Sequence, residues 1–133
     1  MKVGTAWDKA LLLAGLSLDK KAYDLVLLNV AELTSVAEYF LICTGRSDTQ
    51  VQAIAQSLEE GMRVHGERPL AIEGYSRGQW VLIDFEDVVV HVFFQPIRPF
   101  YDLEGLWLRA PRVELPEPYR SQSQSLVTGT EGF

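Results

Sequence analysis

Apolar residues recur along the chain with two different periods, and the change from one to the other separates strands from helices. The densest stretch, Trp80-Val-Leu-Ile-Asp-Phe-Glu-Asp-Val-Val-Val-His-Val-Phe-Phe94, sets two β-prone runs around a short acidic break and predicts a hairpin. With Glu86-Asp87 as a two-residue turn, Phe85 faces Val88, Ile83 faces Val90 and Val81 faces Val92, an apolar face. The opposite face then collects Trp80, Leu82 and Asp84 from one strand and Val89, His91 and Phe93 from the other. Large rings beside a few polar groups have the composition of a binding surface, whereas a covering helix would make His91 and Asp84 ordinary rim residues.

Elsewhere the helical period takes over. Thr5 predicts the N-cap of a helix reaching about Ser17, with Asp8 in its first turn and Trp7, Ala10, Leu11 and Ala14 at helical spacing. Asp24 to Val30 is a continuous apolar run bounded by charge, the pattern of a strand buried on both faces, and Tyr39-Phe-Leu-Ile-Cys-Thr44 predicts a second one. Ser47-Asp-Thr-Gln50 matches a capping box, in which Ser47 accepts the Gln50 N–H and the Gln50 side chain returns to the cap. Its helix carries the stripe Val51, Ile54, Ala55, Leu58 and Met62 and ends at Gly66. Leu70 to Gly74 reads as a brief strand before a turn. Pro96 to Arg109 predicts a short helical segment broken near Gly105, with Phe100, Tyr101 and Trp107 in the core and Arg98 and Glu104 as contact residues. From Ala110 onward, proline and a Ser-Gln run replace apolar mass. The expected organisation is therefore one domain over residues 1–109 and a tail over 110–133, disordered from about Tyr119. Its fold class is α/β, a single compact domain with a mixed sheet of about five strands flanked by helices.

Composition narrows the partners. In 133 residues, 18 acidic against 12 basic side chains give a net charge of −6, which disfavours binding DNA or RNA through bulk electrostatics and favours a basic protein surface. Cys43 is the single cysteine and lies in an apolar run, so it predicts a buried thiol in a reduced compartment rather than a disulfide or a nucleophile. With neither a signal-like segment nor an apolar run long enough to span a bilayer, the expected location is the cytoplasm, away from membranes.

The chain carries, in order, the blocks Lys20-Lys-Ala-Tyr-Asp-Leu25, Leu33-Thr-Ser-Val-Ala-Glu-Tyr-Phe-Leu-Ile-Cys-Thr-Gly45, Gln50-Val-Gln-Ala-Ile-Ala55, Glu73-Gly74, Trp80-Val-Leu-Ile-Asp84, Asp87-Val-Val-Val-His-Val-Phe93 and Arg98-Pro-Phe-Tyr-Asp-Leu-Glu-Gly-Leu-Trp107. In this series it resembles the ribosomal silencing factor family, also called Iojap-like proteins. The resemblance implies a compact α/β domain similar in topology to nucleotidyltransferases but without their chemistry. It also implies a repressor that binds the large ribosomal subunit through ribosomal protein uL-fourteen and blocks joining of the small subunit. One position departs from the family pattern: Glu86 stands where a glycine is usual, so a different turn is expected at the hairpin tip.

The enzymatic alternative rests on Gly45-Arg-Ser47 at a helix start and on Asp84 and Glu86, two carboxylates on one strand face that could hold a divalent metal. Ser47 and Asp84 are 37 positions apart, however, far more than such transferases place between phosphate loop and metal carboxylate. No nucleophile lies beside the His91 and Asp84 pair either. No catalytic residue, metal or cofactor is therefore expected. The expected partner-binding residues are Tyr75, Trp80, Asp84, His91, Phe93, Arg98 and Glu104, with Trp80 as anchor, Asp84 as a charge complement and His91 as a neutral hydrogen-bonding or packing group. Two copies pairing across the same face would form a homodimer.

Overall fold

Thr5 and Asp8 cap each other at the start of helix α1 (Ala6–Asp19): the Thr5 hydroxyl accepts the Asp8 N–H, and the Asp8 carboxylate accepts the Thr5 N–H. That helix opens the structure, a computed structural model, which describes residues 4–123. Strands β1 (Tyr23–Asn29) and β2 (Tyr39–Gly45) follow, then helix α2 (Asp48–Val64) and strands β3 (Ala71–Glu73), β4 (Trp80–Asp84) and β5 (Val88–Phe94). Two short helices, α3 (Ile97–Tyr101) and α4 (Leu103–Leu106), lead to strand β6 (Arg112–Val113). The sheet order is β3-β4-β5-β2-β1-β6; β2 and β5 run parallel and every other neighbouring pair runs antiparallel. Helix α2 thus carries the chain from the end of β2 to a three-stranded meander whose last strand returns alongside β2.

The hairpin has the register its alternation predicts: Val81 lies opposite Val92, Ile83 opposite Val90, and the Phe85 N–H donates to the Val88 carbonyl at 2.9 Å. Glu86 sits at its tip with φ of 81°, a left-handed backbone that costs a residue with a Cβ roughly 1 kcal/mol. Two bonds offset that strain: Asp84 accepts the Glu86 N–H at 2.8 Å, and the Asp87 N–H reaches the Phe85 carbonyl at 3.1 Å. Glu86 therefore takes up the positive φ rather than avoiding it.

One sheet face, with Leu27, Leu41, Cys43, Val81, Ile83, Val90 and Val92, packs against both long helices. The α2 stripe Val51, Ile54, Ala55, Leu58 and Met62 is buried as its spacing predicts. In α1 the buried line is Ala6, Ala10, Leu13, Ala14 and Ser17, rotated from the expected one, so that Trp7 and Leu11 lie at the edge. Ser47 caps α2 by accepting the Gln50 N–H at 3.0 Å, but the Gln50 side chain accepts from Arg46 and donates to the Lys20 and Lys21 carbonyls. The box is therefore open on one side, and its glutamine instead fastens α2 to the turn before β1. Gly66, with φ of 78°, ends the helix while the Gly66 and Glu67 N–H groups return to Arg63 and Met62.

A buried ammonium joins three elements at the rim of this core. Lys9 Nζ lies 2.6 Å from an Asp87 oxygen and 3.2 Å from a Glu67 oxygen, and it donates to the Phe85 carbonyl. Burial would lower its pKa, but hydrogen bonds and charge from Asp87 and Glu67 outweigh burial and hold it above the usual lysine value.

Past residue 109 the chain adds to the domain instead of leaving it. Arg112 and Val113 pair with Leu28 and Leu27, making six strands where about five were expected. Leu115 enters the α1-side core with Tyr119 against it, and the Ser123 hydroxyl accepts the Leu25 N–H at 2.8 Å. Composition hides this because few apolar residues are involved; they suffice because the β1 edge offers backbone partners and an uncovered core margin. Residues 124–133 of the expected tail lie outside the described residues. Leu115→Ala should accordingly lower stability by about 2–5 kcal/mol in urea titration, the cost of emptying a core leucine site. An unchanged midpoint would return this segment to a tail.

Candidate protein-docking site

The second sheet face is also apolar, and its cover is unequal. Leu28, Val30, Phe40, Ile42, Val89 and Phe93 form a second core with Ala37, Leu103 and Ala110, closed at its edge by Ile97 and Trp107. This cover reaches β5 and β2 but stops short of β4, where Trp80, Leu82 and Asp84 stay half-buried. His91 and Phe93, expected to meet a partner, are 4% and 0% exposed. They lie beneath the surface because Phe40 packs edge-on against His91 (5.1 Å) and Trp80 stacks over Phe93 (5.0 Å, 27°).

From Phe93 the rings climb out of the core. Trp80 rests on Phe93, Tyr101 meets Trp80 at 4.8 Å, and Phe100 stands edge-on to Tyr101 at 5.1 Å. Exposure rises along this ladder to 46% at Tyr101 and 78% at Phe100. Leu106 and Leu108 are exposed at 76% and 82% on the following turns. Phe100 and Tyr101 were expected in the core. Split at Asp102, whose φ is 48°, into helices of five and four residues, the segment is too short to bury every apolar side chain it carries. That excess of apolar residues over what two such short helices can bury is the sequence signal that could have marked them as a contact surface.

Beside the ladder, Gly74, Arg77, Gln79, Trp80, Ile97 and Tyr101 line an open cleft. Gly74 is required there: its φ is 83°, and a Cβ would stand 2.1 Å from the Trp80 carbonyl oxygen. The loop it opens carries Tyr75, 42% exposed, and is tied down by Gln52, whose side-chain amide donates to the Tyr75 and Ser76 carbonyls. Asp84 shares the Trp80 face of β4 at the hairpin end, roughly 13 Å away by strand rise.

Arg98 and Glu104 face inward, contrary to their expected role as contacts. The Arg98 side chain, 12% exposed, grips Glu104 through two bonds of 3.2 and 3.0 Å. Its remaining nitrogen donates to the Asp24 carbonyl at 2.7 Å and to the Thr44 hydroxyl at 2.6 Å. Burial pushes the Glu104 carboxyl up, but the Arg98 hydrogen bonds and charge, with Arg112 beyond, hold it below the usual carboxylate range. The guanidinium fork therefore binds α3 and α4 to β1 and β2.

The groups of the enzymatic alternative are otherwise engaged. Asp84 holds the hairpin turn, Ser47 caps α2, and burial pushes the Cys43 thiol up to about 12, opposed by Arg98. Among the described residues, no cluster of three His, Cys, Asp or Glu side chains could hold a metal, and no helix is long and apolar enough to cross a membrane.

A family profile described as "Ribosomal silencing factor during starvation" matches residues 4–130. Similar proteins include the ribosomal silencing factor RsfS of Halalkalibacterium halodurans, 50% identical over 97 residues that span 73% of this chain and 83% of that one. The chloroplastic protein Iojap of Arabidopsis thaliana is 35% identical over 113 residues, 84% of this chain and 46% of that protein. A solved structure from Chromobacterium violaceum aligns with a TM-score of 0.76 at 32% identity, covering 88% of this chain and 92% of that one.

Two outcomes follow from the buried polar groups. Arg98→Leu removes the two hydrogen bonds to Glu104, leaving it only Arg112 at 3.8 Å, and should cost about 3 kcal/mol in urea titration, largely independent of salt because the Arg98–Glu104 pair is internal. Burial lowers the His91 pKa from 6.5 to about 4. Between those values the unfolded chain binds a proton that the folded chain refuses, so stability should fall as pH drops through this window, by up to about 1.4 kcal/mol per unit. Unfolding measured against pH should show His91→Phe lacking that contribution; identical slopes would place the imidazole in solvent.

Proposed function

This chain belongs to the ribosomal silencing factor family, and we propose that it represses translation by binding the large ribosomal subunit through ribosomal protein uL-fourteen, blocking association with the small subunit. The observation that carries the docking site is the ring ladder, in which Trp80 joins a fully buried Phe93 to the exposed Tyr101 and Phe100. Aromatic groups rooted in a core present large apolar area at little cost in side-chain entropy, the usual make-up of an interface anchor. The net charge of −6 opposes contact with ribosomal RNA and suits a basic protein patch, with Asp84 and the Tyr75 loop at the rim. Repression then needs no chemistry: a folded domain seated where the small subunit must land excludes it sterically. Such a role lies in the cytoplasm, where the subunits join.

This reading alters the contact set expected from sequence. Trp80, Asp84 and Tyr75 remain in it, Tyr101 and Phe100 join it, and His91, Phe93, Arg98 and Glu104 support it from below. Pairing of two copies across the same rings would compete with docking, and mass measured against concentration, with and without the ribosomal protein, separates the two uses.

Trp80→Ala should weaken co-sedimentation with large subunits by about thirtyfold, the effect of losing an anchor worth about 2 kcal/mol. Asp84→Lys should also weaken binding by setting like charges together, and Asp84→Asn should be milder. Unimpaired blocking of subunit joining by all three folded variants would move the docking surface off β4.

A further inference from the structure

We propose that His91 is a positioning residue for docking, whose Nδ1 fixes the Trp80 indole in the orientation the ribosomal partner meets. The inference rests on the reading of the ring ladder as the docking surface. The Trp80 Nε1–H donates to His91 Nδ1 at 3.2 Å. An indole nitrogen can only donate, so Nδ1 must accept and the imidazole proton resides on Nε2. That Nε2 is buried with no hydrogen-bond partner among the described residues.

A buried N–H without a partner is a standing cost, and the surroundings do not call for one. His91 sits edge-on to Phe40 and its sheet neighbours are Ile42 and Leu82, company in which a phenyl ring would pack without orphaning a donor. What the imidazole supplies, and no apolar side chain could, is an acceptor for the indole. The other contacts of Trp80 leave this job undone. Stacking on Phe93 sets the plane of the indole but permits sliding and rotation within that plane. Tyr101, tilted 49° to the indole at 4.8 Å, is itself 46% exposed and gives a softer contact. One directional bond selects the in-plane orientation, and with it which edge of Trp80 faces the cleft beside Gly74, Arg77 and Gln79. Burial lowers the imidazole pKa to about 4, so the accepting lone pair persists at neutral pH.

The test compares the parent chain with His91→Phe, His91→Asn and Trp80→Ala, using purified large ribosomal subunits as the probe. Unfolding midpoint, subunit affinity and solvent exchange of the Trp80 indole N–H by NMR are read together, the resonance being assigned by its loss in Trp80→Ala. His91→Phe should be at least as stable as the parent, yet its indole N–H should exchange faster and its affinity should fall about three- to tenfold, the worth of one hydrogen bond. His91→Asn places an amide oxygen near the Nδ1 position; it should lose stability but keep the indole protected and bind within about twofold of the parent. A purely structural histidine would give the reverse order, with binding following stability. Parental binding by His91→Phe beside weak binding by Trp80→Ala overturns the positioning role alone. Parental binding by both overturns the docking reading and this inference with it.

Discussion

A sheet that is apolar on both faces must be covered twice, and this chain has two long helices, both on the same side. The second face is left to α3 and α4, five and four residues long. Helices of that length have no stability of their own in water. They stay in place because Arg98 reaches from α3 to Thr44 on β2 and the Asp24 carbonyl on β1, while the same guanidinium holds Glu104 of α4. The clamp sits over β1 and β2, so the cover it secures lies there too, and β4 at the other side of the sheet remains half open. The exposed rings follow from this shortage of cover, and the proposed function makes use of it.

The parts of the fold that were legible in the sequence are those fixed by local chemistry. Strand alternation around Glu86-Asp87 dictated the pairing of Val81 with Val92 and Ile83 with Val90, and Ser47 announced the start of α2. What could not be read is what lies on top of a face. His91 and Phe93 alternate in step with Trp80 and look equally available, yet Phe40 from β2 covers His91 and Trp80 itself stacks over Phe93, so two are buried and the third stays half-open. Arg98 looked like a rim charge because nothing local shows that Thr44, 54 positions earlier, would accept a hydrogen bond from it. Strand β6 escaped notice for the opposite reason: two residues carry no period, and their pairing depends on an edge that β1 leaves open.

The division of the sheet into two faces also separates the tolerances of the protein. On the α1 and α2 side, side chains such as Leu13, Ile54 and Ile83 are wholly buried, with the Lys9 ammonium paired at the rim, and a change in that core should act mainly on stability. On the other side, polar groups lie beneath the exposed rings at some energetic cost. The orphaned Nε2 of His91 and the desolvated Arg98–Glu104 pair would both be simpler as apolar side chains. Each of them holds part of the ring ladder: Arg98 holds the helix that carries Tyr101 and Phe100, and His91 holds Trp80. A repressor that acts by occupying space needs a surface already in its bound shape, since ordering a loose one would be subtracted from the binding energy. Buried polar contacts beneath exposed rings meet that need. Rigidity of the second face, rather than the area it exposes, is therefore the property on which the proposed seating against a ribosomal protein would depend.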